Sequence, residues 1–130
     1  MGEYIFGLEN LDVYKRAREF RKEIYNLARK LPAEERFNLA SQMRRAAVSV
    51  TNNIAEGHGR FHFQESIQFF RHSRGSMQEL MDDLNVCLDE NYETEQHILT
   101  LKAEAIEILR MLNGYIAFLK RSKEKSIAKS

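Results

Sequence analysis

Apolar positions recur along this 130-residue chain in alternating steps of three and four. From Val13 through Ala17, Phe20, Ile24, Leu27 and Leu31 the steps are 4, 3, 4, 3 and 4. That narrow seam predicts a helix over about residues 11–30, with Asn10 as its N-cap, Asp12 complementing the helix dipole and Pro32 as its stop. A second seam, Leu39, Met43, Ala46, Ala47, Val50 and Ile54, predicts a helix over about 39–56 that ends at Gly57 and Gly59. Residues 33–36 form a short helical turn before it. The third helix, about 62–91, carries Ile67, Phe70, Met77, Met81, Leu84 and Leu88, with Arg74 out of character in its seam. The fourth, about 94–121, carries Ile98, Leu101, Ala105, Ile108, Leu112, Tyr115 and Leu119, and starts at Glu93 or Thr94. Short connections force successive helices to be antiparallel neighbours. The expectation is an all-α, up-down-up-down four-helix bundle, one domain over residues 1–130, with a basic tail at 120–130 whose last few residues lack order.

Composition supports long helices: 43% of residues are hydrophobic, 30% are charged, and Pro32 is the sole proline. No apolar run approaches the roughly 20 residues needed to span a bilayer. The N-terminal stretch Met1-Gly2-Glu3-Tyr4-Ile5-Phe6 lacks a signal-peptide pattern, and Phe6 stands where an acylation motif needs Ser or Thr. A cytoplasmic, membrane-free protein is expected. Cys87 is the single cysteine, which excludes an internal disulfide and a cysteine-based metal knuckle and reads as a small buried apolar residue.

Net charge is only +1, but it is segregated. Residues 11–31 hold seven Lys/Arg against three Asp/Glu; residues 61–91 hold two against six; residues 120–129 hold five against one. Lys15, Arg18, Lys22 and Arg29 share a helical face with Arg21 alongside, and the tail adds Lys120, Arg121, Lys123 and Lys125. In a closed bundle the end of the fourth helix is expected near the N-terminal half of the first. These cations either hold nucleic-acid phosphates or solubilise helix surfaces and complement a C-terminal dipole. With no recognised base-stacking module or groove-reading motif, any binding should be weakly sequence-specific.

The second helix has an unusual polar stripe, Gln42, Arg45, Ser49, Asn53 and Glu56, and lacks long side chains between Ala46 and Asn53. The third helix answers with Ser73, Gly75 and Ser76, although a mid-helix glycine costs about 1 kcal/mol relative to alanine. Two readings stand. One is tight packing within a subunit, with Asn53 and Glu56 capping the 57–60 turn. The other is a subunit interface or ligand groove in which these groups pair.

The run Ser41-Gln42-Met43-Arg44-Arg45-Ala46-Ala47-Val48-Ser49-Val50, followed by Asn53-Ile54-Ala55-Glu56-Gly57 and Arg60, resembles the signature of a known family. These are the four-helix bundle proteins encoded by intervening sequences of bacterial large-subunit ribosomal RNA genes, the S23 ribosomal protein family. It includes the accessory variability determinant proteins of diversity-generating retroelements. Leu11-Asp12-Val13-Tyr14-Lys15 with Ala17, the turn at 32–36, and Gly75-Ser76 with Glu79 and Leu80 extend the resemblance over about residues 8–119. Thr51 stands where proline is common, which leaves this helix straighter. The resemblance implies a homo-oligomer, a homopentameric barrel, with no enzymatic activity or cofactor. For the retroelement branch it implies binding to a reverse transcriptase and to nucleic acid, RNA or DNA. The alternative is a structural or protein–protein adaptor without nucleic-acid contact.

His58 and His62, four apart with Glu65 and His72 downstream, have a spacing that chelates metal only on an unbroken helix, and Gly59 interrupts it. No second carboxylate–histidine pair supports a bundle metal site. No nucleophile elbow or convergent acid–base set appears, and Asp82-Asp83 and Asp89-Glu90 read as solvated acids or as a dock for a basic partner. No metal site and no catalytic residues are expected.

Overall fold

The computed structural model describes residues 7–129. Four helices run through it: α1 (Asp12–Lys30), α2 (Leu39–His58), α3 (Phe63–Asp89) and α4 (Glu95–Lys129). Each packs on its sequence neighbours, and α1 also meets α4, giving an antiparallel four-helix bundle. The signal-peptide and acylation readings of residues 1–6 lie outside the described residues.

The helix ends show which local signals act. Leu8–Asn10 forms a 3-10 turn, so the residue preceding α1 is Leu11, in extended conformation, and Asn10 does not cap the helix. Leu8 and Leu11 instead pack on the core, a hydrophobic closure in place of a polar cap. Ala33–Glu35 makes a 3-10 turn whose Glu35 accepts bonds from the Leu39 backbone N–H at 3.4 Å and the Tyr92 hydroxyl at 2.7 Å. At the start of α4, Thr94 Oγ1 accepts from the His97 backbone N–H at 3.2 Å, as an N-cap should. Glu93 beside it bonds His97 Nδ1, the Thr94 N–H and Lys30 Nζ, and its carboxyl is held down at about 2, with the His97 bond the largest cause.

The core contains the apolar seams. Val13, Ala17, Phe20, Ile24 and Leu27 of α1 are buried, as are all six seam residues of α2. On α3 the seam Ile67, Phe70, Met77 and Leu84 is buried, with Met81 and Leu88 half-buried. Arg74 in that seam is half-buried and reaches out to donate to Asn113 Oδ1 at 2.8 Å. A second buried edge of α3 runs through Ser66, Ser73, Ser76, Leu80, Asp83 and Cys87. Its polar composition hid it from an apolar count, yet it includes the contacts with α2. Ser73 Oγ donates to the Val50 carbonyl at 2.8 Å, and Ser76 Oγ pairs with Ser49 Oγ at 2.8 Å.

Glycine placement reverses an expectation. Gly75 was the candidate for close packing, but a Cβ there meets nothing within 4 Å. The close approach is at Gly57, inside α2, where a Cβ would stand 2.8 Å from the Phe70 ring and 3.1 Å from Phe69 Cβ. Phe70 is fully buried and stacked on Tyr115 at 4.6 Å, so its ring has little room to yield. The C-terminal segment also departs from expectation: α4 continues as helix to Lys129. Lys123 anchors part of that extension by donating to Gln64 Oε1 at 2.7 Å.

Two stability predictions follow from these packings. Gly57→Ala should lower stability by about 1–3 kcal/mol through overpacking, whereas Gly75→Ala should raise it by about 0.5–1 kcal/mol through helix propensity. Paired urea titrations measure both, and equal effects would contradict the packing described. The second concerns Asp83, which is 7% exposed and whose Oδ2 has no hydrogen-bond partner among the described residues. Burial, then Asp82 and Glu79, pushes its carboxyl up to about 6. The folded state therefore binds this proton more tightly than the unfolded chain, so stability falls as pH rises from the ordinary 3.8 towards about 6. Asp83→Asn should stabilise by an amount of order 1 kcal/mol at neutral pH, with the gain vanishing in acid; thermal melts across pH check the sign.

Candidate nucleic-acid interface

The α1–α2 face carries three adjoining hollows. One of about 320 Å³ is bounded by Arg21, Lys22, Tyr25, Asn26 and Arg29. The next, about 630 Å³, follows the outer face of α2 past Arg44, Arg45, Val48 and Asn52, with Tyr25 as its wall on α1. The third, about 500 Å³, lies between Arg29, Arg36 and Arg44 towards the α1–α2 connection. Tyr25, Arg29 and Arg44 are each shared between two hollows, so the three form one continuous groove. No acidic residue lines any of them.

The local chemistry leaves most of this charge uncompensated. Arg21 Nη1 donates to Thr51 Oγ1 at 2.8 Å, Arg29 Nη1 to Asn26 Oδ1 at 2.7 Å, and Arg45 Nη1 to Ser41 Oγ at 2.9 Å. These acceptors orient the guanidinium groups without neutralising them, leaving further N–H donors for an anion. Arg36 lies over the Phe37 ring at 5.2 Å. Lys22 is the exception, paired with Glu19 at 3.1 Å in an exposed contact worth little. Thr51 is buried and donates to the Val48 carbonyl at 3.1 Å while accepting from Arg21. Helix α2 is unbroken here.

The structure divides the cations grouped by sequence. Arg21, Lys22 and Arg29 line the groove. Lys15 and Arg18 are exposed on α1 but line none of the three hollows. The tail cations stand elsewhere. Arg16 in the N-terminal half of α1 binds Glu104 through two bonds of 2.8 and 2.9 Å, and Lys120 lies about 24 Å farther along α4 at 1.5 Å per residue. The neighbour of the tail is the start of α3: Lys120 and Lys123 border a separate hollow of about 210 Å³ with Gln64 and Arg71. Arg121 is exposed. The expectation that the tail joins the first half of α1 is thus corrected; α4 overshoots it.

The polar stripe divides as well. Ser49 pairs across to Ser76 of α3, whereas Asn53 Nδ2 stays within α2, donating to the Ser49 carbonyl at 2.8 Å and to its Oγ at 3.0 Å; both also border the second hollow. Asn53 therefore does not cap the 57–60 turn. Glu56 binds the Arg60 side chain at 2.6 Å, and Arg60 in turn lies 4.8 Å over Phe69. Gln42 and Arg45 are exposed, and Ser76 is buried against Ser49. Arg44, which sequence reasoning left out of the site, joins two hollows. Its signal was available in the Arg44-Arg45 pair, since adjacent helical residues point about 100° apart and only one of them can follow the stripe.

His58 ends α2 and His62 precedes α3, so the two stand on different elements. Among the described residues no three His, Cys, Asp or Glu side chains are grouped to hold a metal ion, and no helix is long and apolar enough to cross a membrane. The thiol of Cys87 is fully buried, and burial followed by Asp83, Glu35 and Glu93 pushes it up to about 11.

Comparison with known proteins gives consistent results. Residues 9–114 match the family described as 23S rRNA-intervening sequence protein. A crystal structure of a protein of unknown function from the S23 ribosomal protein family of Bacteroides thetaiotaomicron superposes with a TM-score of 0.75 at 23% identity, covering 81% of this chain and 95% of that one. At that identity the likeness concerns the fold. No curated protein matches the chain.

Proposed function

The chain belongs to the 23S rRNA-intervening sequence protein family, and from that premise we propose that it is a non-enzymatic, cytoplasmic scaffold that binds nucleic acid as a homo-oligomer. The observation that carries this reading is the α1–α2 groove, where Arg21, Lys22, Arg29, Arg36, Arg44 and Arg45 gather without an acidic lining residue. Such a surface attracts a polyanion through counterion release, and oriented guanidinium groups suit phosphate oxygens. The family's link to ribosomal RNA makes RNA the first polyanion to test. Repetition of the groove around a pentamer would multiply weak contacts into useful affinity. Acidic Glu79, Asp82 and Asp89 on α3 offer a surface of opposite sign to a basic protein partner such as a reverse transcriptase.

Fluorescence anisotropy with labelled RNA tests the groove. Affinity should fall steeply between low and physiological salt, and the triple variant Arg21→Glu, Lys22→Glu, Arg44→Glu should lose at least about a hundredfold, as expected when several phosphate contacts become repulsive. Binding indifferent to both changes overturns the nucleic-acid reading. Mass measurement at micromolar concentration should report an oligomer; a clean monomer overturns the assembly.

A further inference from the structure

The α1–α2 groove also holds groups that can do more than donate to phosphate. Phosphate oxygens accept hydrogen bonds, and the cations satisfy them. Between those cations stand half-buried Tyr25 and exposed Asn52. Neither the Tyr25 hydroxyl nor the Asn52 amide has a hydrogen-bond partner among the described residues. An amide both donates and accepts, which matches the mixed edge of a nucleobase. A half-buried tyrosine ring that borders two open hollows offers a stacking surface. Tyr25 borders both the hollow walled by Arg21 and Lys22 and the hollow walled by Arg44 and Arg45. Cations therefore flank the ring on two sides, the order in which one strand presents phosphate, base and phosphate. A duplex keeps its bases paired inside, out of reach of a side chain that stacks on one base face.

We propose that the groove holds single-stranded nucleic acid, with one base stacked on Tyr25 and its edge met by Asn52, while Arg21, Arg29, Arg44 and Arg45 hold the flanking phosphates. The inference rests on the nucleic-acid reading and adds strandedness and base contact to it. Stacking tolerates any base, so selectivity is for single strands over duplexes rather than for a sequence.

The chain contains no tryptophan, so Tyr25→Trp places a single indole reporter in the groove. Its emission should be quenched by an unstructured oligoribonucleotide, and not by the same strand annealed to its complement or by heparin, an anion without bases. Tyr25→Ala should weaken single-stranded RNA binding at least about fivefold and leave heparin binding unchanged, while Tyr25→Phe retains most of the affinity. If Tyr25→Ala melts early, the Tyr25→Trp and Tyr25→Phe results decide the matter. RNA and heparin binding with equal affinity and an unquenched indole would overturn base stacking and leave the electrostatic reading standing. No binding of any polyanion by the unaltered chain overturns both. A smaller assembly mass in Tyr25→Ala with RNA affinity unchanged would make the groove a contact between copies and overturn the proposal.

Discussion

The close approach of α2 to α3 is the constraint on which the rest of the structure depends. It needs a position without a side chain at Gly57, where Phe70 fills the space, and small hydroxyl residues at Ser49, Ser73 and Ser76. Each buried hydroxyl there is satisfied within the pair of helices, so proximity does not leave an unpaired polar group behind. Ser49 also borders the second hollow together with Arg44, Arg45 and Tyr25 of α1, so the packed flank of α2 and its charged surface adjoin. The basic groove thus begins where the α2–α3 packing ends, on the same helix.

The electrostatics follow from which groups stand beside each cation. Groove arginines are oriented by Thr51, Asn26 and Ser41, none of which carries charge. Carboxylates with strong cationic partners are placed on other faces, as with Glu104 under Arg16 and Glu93 between Lys30 and His97. Asp83 stands apart, a carboxylate on the polar edge of α3 with like charges nearby. Its position weakens the fold at neutral pH, where an amide of similar size would not.

Much of the fold was legible because four seams at 3–4 spacing specify four amphipathic helices, and short connections fix their order. What escaped was structure that does not follow apolar periodicity. The second buried edge of α3 mixes Ser66, Ser73, Ser76 and Asp83 with Leu80 and Cys87, so an apolar count reads only part of it. Gly57 resembled a helix stop in sequence, but its role is spatial and depends on a phenylalanine thirteen positions later. Asn10 had the chemistry of a cap, yet leucines at 8 and 11 close that end by packing. Of the candidate site, Arg21, Lys22 and Arg29 were readable from helical spacing. Their partnership with Arg44 was not, since it joins two helices through a tertiary contact, and the tail cations were misplaced because α4 continues past the start of α1.

Cys87 bears on how copies of this chain could be joined. With the Cys87 thiol sealed in the core and its pKa pushed up by burial, the folded chain presents no sulfur for a disulfide between copies. Any contact between folded copies would then rest on packing, hydrogen bonds and charge, which respond to concentration and salt, rather than on a sulfur bridge that responds to redox conditions.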